Sequence, residues 1–172
     1  MDFKRYRLFT AFAIVVLSCI SAFAQDQVFS DPAVEYSFHI PDPAWKASVR
    51  PSSTNPNVEY VYGDRRDGHL IVRKLTVAPG AMITDVIQSE AQEKLQFLPG
   101  YVAGKEENFA GILKGSAFNY EYVQTGRPMA GRMYFLRANP TTVYVLRFSG
   151  PRDGLRILRN QTDLIARTFS VK

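Results

Sequence analysis

The sequence is poor in the residues that most often build catalytic and metal sites. Among its 172 residues there is one cysteine, Cys19, and there are two histidines, His39 and His69. A single cysteine excludes a disulfide within the chain and a zinc site built from several cysteines. The two histidines have no further ligands at metal-binding spacing, so we read both as surface residues. We therefore expect no metal and no other cofactor.

Sequence motifs of nucleotide-binding and hydrolytic enzymes are also missing. The chain contains neither the G-x-S-x-G pattern of a nucleophile elbow nor the G-x-G-x-x-G pattern of a dinucleotide site. Gly100 to Lys105 imitates a phosphate-binding loop, but it has three residues between its glycines instead of four. We therefore expect a protein that is not an enzyme. Two alternatives stay open, namely a carrier of a small apolar ligand and a hydrolase whose site has no sequence signature.

The one long apolar run lies at the N-terminus. Three basic residues among the first seven precede an uncharged stretch, 8–17, and Ala22-Phe23-Ala24 follows before Gln25. This order is typical of a secretory signal peptide over residues 1–24. The run is shorter than the roughly 20 apolar residues of a transmembrane helix. We therefore expect an exported protein, periplasmic or secreted, with no transmembrane segment in the mature chain.

Cys19 offers an alternative to simple export. The sequence Val16-Leu17-Ser18-Cys19 resembles a bacterial lipobox, in which the cysteine is lipidated and becomes the first mature residue. The alternative is therefore a lipoprotein anchored at Cys19.

Residues 25–172 read as one domain of alternating short elements, without repeats or linkers. Apolar residues at every second position predict strands, whereas apolar residues at every third or fourth position predict helices. The predicted strands are 34–40, 44–50, 58–62, 69–77, 102–109, 112–124, 131–138 and 142–149. A helix of about 14 residues, capped by Thr84, follows the fourth strand, and a second helix over about 152–167 follows the last. The fold class is α+β, an antiparallel sheet of about six to eight strands with an α-helix on each face, and Trp45 belongs to its core.

Three segments of this domain resemble the PsbP-like superfamily, which includes the DcrB-type bacterial envelope proteins and the extrinsic PsbP subunit of photosystem II. They are Phe38-His39-Ile40-Pro41 with Trp45, the segment 95–101, and Val143 to Phe148 followed by the second helix and Phe169. The resemblance implies an α/β/α sandwich and a non-enzymatic binding or assembly role. It supplies no functional residue, and the plant photosystem role does not transfer, because this chain lacks the long N-terminal extension of plant PsbP.

Charge is distributed unevenly along the domain. Residues 25–126 hold nine basic and thirteen acidic residues, whereas residues 127–172 hold nine basic and two acidic ones. In the second helix, Arg152, Arg156 and Arg159 recur at i, i+4 and i+7, so they share one helix face. We predict that this face binds an acidic protein or an anionic surface; the alternative is a solvated helix face. The basic residues show no aromatic interleaving, so we expect no nucleic-acid partner, and we expect a monomer.

Overall fold

The computed structural model describes residues 27–63 and 67–172. The predicted signal peptide and Cys19 lie outside the described residues. Within the described part of the chain, no helix combines the length and the apolar character needed to cross a membrane.

The strands form two sheets in which every pairing is antiparallel. The small sheet has the order β1-β2-β10, and the large sheet has the order β3-β4-β5-β9-β8-β7-β6. Their bounds are β1 Gln27–Ser30, β2 Tyr36–Ile40, β3 Trp45–Val49, β4 Val58–Tyr62, β5 Gly68–Thr76, β6 Val102–Ala110, β7 Lys114–Gln124, β8 Arg127–Asn139, β9 Thr142–Pro151 and β10 Ser170–Val171.

The helical segments are short. α1 (Ile83–Ile87) continues through a π-helical stretch, Gln88–Gln92, into α2 (Glu93–Leu95). After β9, α3 (Arg152–Ile157) and α4 (Arg159–Thr168) follow one another with a break at Leu158.

The predicted single sheet with one helix on each face is therefore wrong in detail, although the α+β class and the antiparallel pairing are confirmed. β1 and β10 pair with the two sides of β2 and make a second sheet. They span four and two residues, too few to show an alternating pattern.

The predicted cap at Thr84 is also wrong. Met82 occupies the N-cap position, no side chain caps the helix, and Thr84 lies inside α1. The helix begins two residues earlier than that cap would allow, because the Val86 N–H donates to the Met82 carbonyl, 3.3 Å away.

Two buried clusters cover the two faces of the large sheet. One contains Phe118, Tyr120 and Tyr122 of β7 together with apolar residues of α1, the π-helical stretch and α2. The other contains Tyr144, Leu146 and Phe148 of β9 together with the small sheet, α3 and α4. Side chains alternate between the two faces along β7 and β9, so each triplet packs on one face of the large sheet.

Trp45 lies in the core, as predicted. Its side chain packs edge-on against Tyr62 and Phe148, and the residue is 3% exposed. Its indole Nε1–H donates to Gln161 Oε1 over 2.8 Å, so the one polar atom of the ring is satisfied. This hydrogen bond joins β3 to α4.

Candidate functional site

A groove of about 620 Å³ separates α3 and the first turn of α4 from strands β6, β7 and β8. Backbone and small side chains of the three strands form its floor, and α3 and α4 form one wall. We call it the arginine groove and define it by Gly104, Asn119, Glu121, Ala130, Gly131, Arg132, Arg152, Leu155, Arg156, Arg159 and Thr162.

Two glycines beside the groove stand where a side chain has no room. A Cβ at Gly104 would lie 2.7 Å from the Asn119 carbonyl oxygen. A Cβ at Gly131 would lie within 2.3 Å of three atoms of the Tyr120 side chain, which packs on the opposite face of the sheet. Gly131 therefore makes room for Tyr120.

The structure brings all three sequence-predicted residues to this groove. Each side chain of Arg152, Arg156 and Arg159 is more than half exposed. Their nearest carboxylates are those of Glu121 at 3.7 Å, Asp153 at 3.9 Å and Glu107 at 3.5 Å, respectively. Such long, solvated ion pairs contribute little to stability.

The guanidinium groups of the three arginines make no hydrogen bond with any described residue. Each guanidinium has five N–H donors in a planar fork. The wall of the groove therefore carries three cationic groups whose donors are available to a ligand. Their role in partner binding stays a prediction.

Sequence reasoning missed a fourth arginine, Arg132, whose side chain is only 8% exposed. Its Nε donates to Tyr134 Oη at 2.7 Å, and its Nη1 donates to Asn119 Oδ1 at 2.8 Å. Its guanidinium also pairs with Glu107 at 3.3 Å and with Asp163 at 3.2 Å. Arg132 is thus fully engaged and fixes the positions of the groups around it.

The Arg132 network ties the sheet to the helix that forms the groove wall. Tyr134 Oη donates to Asp163 Oδ1 and lies 3.0 Å from Thr162 Oγ1, so β8 is hydrogen-bonded to α4. Burial raises the pKa of Tyr134, and the hydrogen bond to Asp163 adds to this effect while Arg132 opposes it. Burial alone would lower the pKa of Arg132, but Tyr134 and the carboxylates reverse the effect and raise it. Tyr134 is therefore a neutral hydroxyl and Arg132 a permanent cation.

Four arginines and four carboxylates thus meet around the groove. Glu107 is shared by Arg132 and Arg159, and Asp163 belongs to the buried network. Glu121 and Asp153 sit beside Arg152 and Arg156 at distances too long for hydrogen bonds. The groove is therefore locally balanced in charge, but its outer pairs are loose enough to be exchanged for the carboxylates of a partner.

The two histidines lie elsewhere. His39 is on β2, where its backbone N–H donates to Thr168 Oγ1 over 3.0 Å. His69 has a partner that sequence reasoning did not find, because its Nε2 lies 2.9 Å from Glu59 Oε2. The pairing of β4 with β5 puts Val61 opposite His69, so Glu59 is its diagonal neighbour.

The His69–Glu59 pair is not coupled to a nucleophile. Ser149 stands opposite His69 across the β5–β9 ladder, yet no hydrogen bond joins the two side chains among the described contacts. An activated serine requires that hydrogen bond. The described residues also contain no group of three or more histidine, cysteine, aspartate or glutamate side chains that could hold a metal ion. The absence of a cofactor stays a prediction.

The comparisons with known proteins show the fold of this chain but find no relative by sequence. No protein-family model matches the chain, and no curated protein matches it significantly. Solved structures do match it over most of their length. The cyanobacterial PsbP, CyanoP, from Synechocystis sp. PCC 6803 aligns with a TM-score of 0.60 at 18% identity, over 87% of this chain and 94% of that one.

Two further structures align equally widely. LpqN of Mycobacterium tuberculosis, described as involved in cell envelope biogenesis, gives a TM-score of 0.56 at 20% identity, over 86% of this chain and 92% of that one. PA94 from Pseudomonas aeruginosa, described as a putative regulator of unknown function, gives a TM-score of 0.57 at 14% identity, over 86% of this chain and 97% of that one. At these identities the likeness is one of fold, and the chain therefore has the PsbP-like fold that its sequence motifs indicated.

Proposed function

We propose that the chain is an exported, non-enzymatic accessory protein of the bacterial envelope that docks an acidic partner protein in the arginine groove. The observation that carries the proposal is the wall of the groove, where Arg152, Arg156 and Arg159 project together without a hydrogen bond to any described residue. Arginine is enriched in protein interfaces because its planar fork binds carboxylates through two hydrogen bonds at once.

The buried network supports the proposal by keeping the site in shape before a partner arrives. Arg132, Tyr134 and Asp163 join β8 to α4, so the floor and the wall are connected by side chains that are already ordered. A preorganised site loses less conformational entropy on binding than a mobile one.

The lining of the groove favours an acidic protein over a small apolar ligand. It is open and carries charged side chains along one wall, whereas a carrier of an apolar molecule needs an enclosed apolar cavity. The structural likeness to LpqN, a protein described as involved in cell envelope biogenesis, agrees with a role in the envelope. That likeness is one of fold only and does not identify the partner.

Photocrosslinking in cells tests the proposal. A photoreactive amino acid in place of Arg156, the most exposed of the three arginines, is expected to capture one partner in the envelope fraction. The matched control carries the same amino acid at Lys114, which is exposed at the start of β7, the opposite end of that strand from Glu121. Equal capture from both positions, or capture from neither, contradicts the proposal.

A further inference from the structure

Three exposed apolar side chains lie at one end of the large sheet, next to the arginine groove, which one of them, Val102, also lines. They are Phe97, Val102 and Val123, with exposed fractions of 83%, 60% and 39%. We call them the apolar tip. Phe97 is an aromatic side chain held almost wholly in solvent, which no packing requirement of the fold explains.

Backbone contacts bring the turn that follows Phe97 against the ends of β6 and β7, where Val102 and Val123 lie. The Val123 N–H donates to the Pro99 carbonyl over 2.7 Å, which ties the turn after α2 to the end of β7. A Cβ at Gly100 would lie 3.0 Å from Val123 Cγ2, so that side chain lies against the same turn. Val102 begins β6 opposite Glu121 of β7.

Cationic side chains flank the tip. Arg127 pairs with Gln124 across the two-residue turn that follows Val123, is exposed, and has no carboxylate partner among the described residues. Arg152 lies 3.7 Å from Glu121, the cross-strand neighbour of Val102. The apolar side chains are thus bordered by two guanidinium groups and one carboxylate, that of Glu121, and the Arg127 guanidinium has no counter-charge among the described residues.

We infer that the apolar tip docks the protein on the surface of an anionic phospholipid bilayer. Phe97 and Val102 would enter the boundary between headgroups and acyl chains, while Arg127 and Arg152 would contact lipid phosphates. The tip residues lie in the turn after α2 and at the ends of β6 and β7, next to a two-residue hairpin turn, so the tip is small; a protein partner would instead require a broad complementary face. Apolar side chains beside arginines are the combination that binds anionic interfaces.

The tip adjoins the proposed protein-docking groove, because Val102 and Arg152 also line that groove, but the two proposals can fail separately. The groove proposal depends on Arg156 and Arg159, whereas the tip depends on Phe97 and Arg127. A protein bound in the groove would then be held at the membrane surface.

Vesicle co-sedimentation tests the inference with the protein as isolated from cells. The vesicles contain phosphatidylglycerol and phosphatidylethanolamine, and phosphatidylcholine vesicles serve as the uncharged reference. The protein is expected to prefer the anionic vesicles, and added salt is expected to weaken that binding because exposed charges are screened over about 10 Å at 0.1 M.

Matched variants distinguish vesicle binding through the tip from nonspecific binding by other exposed apolar residues. Phe97→Ser is expected to lower the partition coefficient about tenfold, since it removes the burial of one large apolar side chain, and Arg127→Glu is expected to lower it on anionic vesicles only. The control is Ile112→Ser, at a residue 64% exposed in the β6–β7 turn at the opposite end of the same two strands. Urea unfolding confirms that all three variants are folded.

Several results would overturn the inference. They are the absence of vesicle binding, an equal loss in Ile112→Ser, or an undiminished partition coefficient in Phe97→Ser. A crosslink from position 97 to a protein, together with no vesicle binding, would assign a protein partner to the tip instead.

Discussion

At the scale of single residues, Arg132 is the buried cation that holds the ion-pair network of the groove together. It neutralises Glu107 and Asp163 from a position that water hardly reaches, and it also donates to Tyr134 and Asn119. Removing one partner of such a network costs more than the network contributes, because the remaining groups keep their desolvation penalty.

Arg132→Met is therefore expected to destabilise the protein by about 3 kcal/mol, at the lower end of the range for a broken buried pair, since Glu107 and Asp163 are partly exposed. Arg132→Lys should lose less, because the charge is kept and only the planar fork is lost. Urea unfolding of both variants measures the difference. A loss below about 1 kcal/mol in Arg132→Met would mean that the network does not hold the groove together.

Trp45 makes a comparable contribution through packing. Trp45→Ala is expected to cost about 3–5 kcal/mol, the usual loss for a large aromatic removed from a core. Trp45→Phe keeps an aromatic ring against Tyr62 and Phe148 but loses the hydrogen bond to Gln161, so its cost should be smaller. Unfolding measured by urea titration should rank the two variants in that order, and equal costs would contradict a packing role.

Glu35 makes stability depend on pH. Its carboxylate accepts hydrogen bonds from Lys74 and, at 2.6 Å, from Tyr144 Oη, and these bonds lower its pKa from the ordinary 4.5 to about 2. A carboxylate with a lowered pKa in the folded state stabilises that state above its unfolded pKa, and the contribution disappears as the pH falls.

Wild type should therefore lose stability relative to Glu35→Gln between about pH 4.5 and pH 2. The side chain is 40% exposed, so the difference between the two proteins should stay below about 1 kcal/mol. Chemical unfolding at a series of pH values gives the comparison. Parallel curves for the two proteins over this window would show that the Lys74 and Tyr144 contacts do not persist in solution.

At the scale of elements, the β7–β8 hairpin contains a turn that its sequence does not favour. Thr125 and Gly126 both have positive φ, 50° and 73°, as a two-residue type I′ turn requires. Glycine adopts this conformation without cost, but a β-branched residue is strained there. Asparagine is the residue most often found at the first position.

Thr125→Asn is therefore expected to stabilise the protein by about 1 kcal/mol, the lower end of the range for one strained residue. Gly126→Ala should destabilise it, although a Cβ there would meet no atom within 4 Å, because only the backbone conformation opposes it. Thermal unfolding of the two variants provides the test. A lower melting temperature for Thr125→Asn would contradict the account of this turn.

Sequence patterns predicted those elements whose pattern is local. The alternation of Tyr36, Phe38 and Ile40 identified β2, a feature that depends only on the period of the strand. Arg152, Arg156 and Arg159 line one wall of the groove, as their spacing predicted, but the predicted continuous helix is broken at Leu158 and Arg159 begins α4.

Contacts between distant segments could not be predicted in the same way. Glu107 lies 25 residues from Arg132 in the sequence and Asp163 lies 31 residues away, so their convergence depends on the pairing of β6, β7 and β8 and on the docking of α4. The partnership of His69 with Glu59 likewise depends on the register of β4 and β5. A single unaligned sequence carries no signal for either.

At the scale of the whole molecule, folding brings the basic C-terminal third of the chain next to acidic residues of the first part. The C-terminal third contributes β8, β9, α3 and α4, and therefore all four arginines of the groove. The acidic first part contributes Glu107 and Glu121, which face them from β6 and β7. Folding thus balances charges that the linear sequence separates, and it leaves the outer arginines weakly paired.

The measurement that tests the central claim most directly is the photocrosslinking yield to the envelope partner after reversal of Arg152, Arg156 and Arg159 to glutamate. The photoreactive amino acid then replaces Asp153, an exposed residue that lines the same groove next to Arg152. We expect the crosslink to disappear, while each substitution changes the free energy of unfolding by no more than about 0.5 kcal/mol, as at other exposed positions. An undiminished crosslink in a folded triple variant would contradict the claim and would leave the three arginines as a solvated helix face.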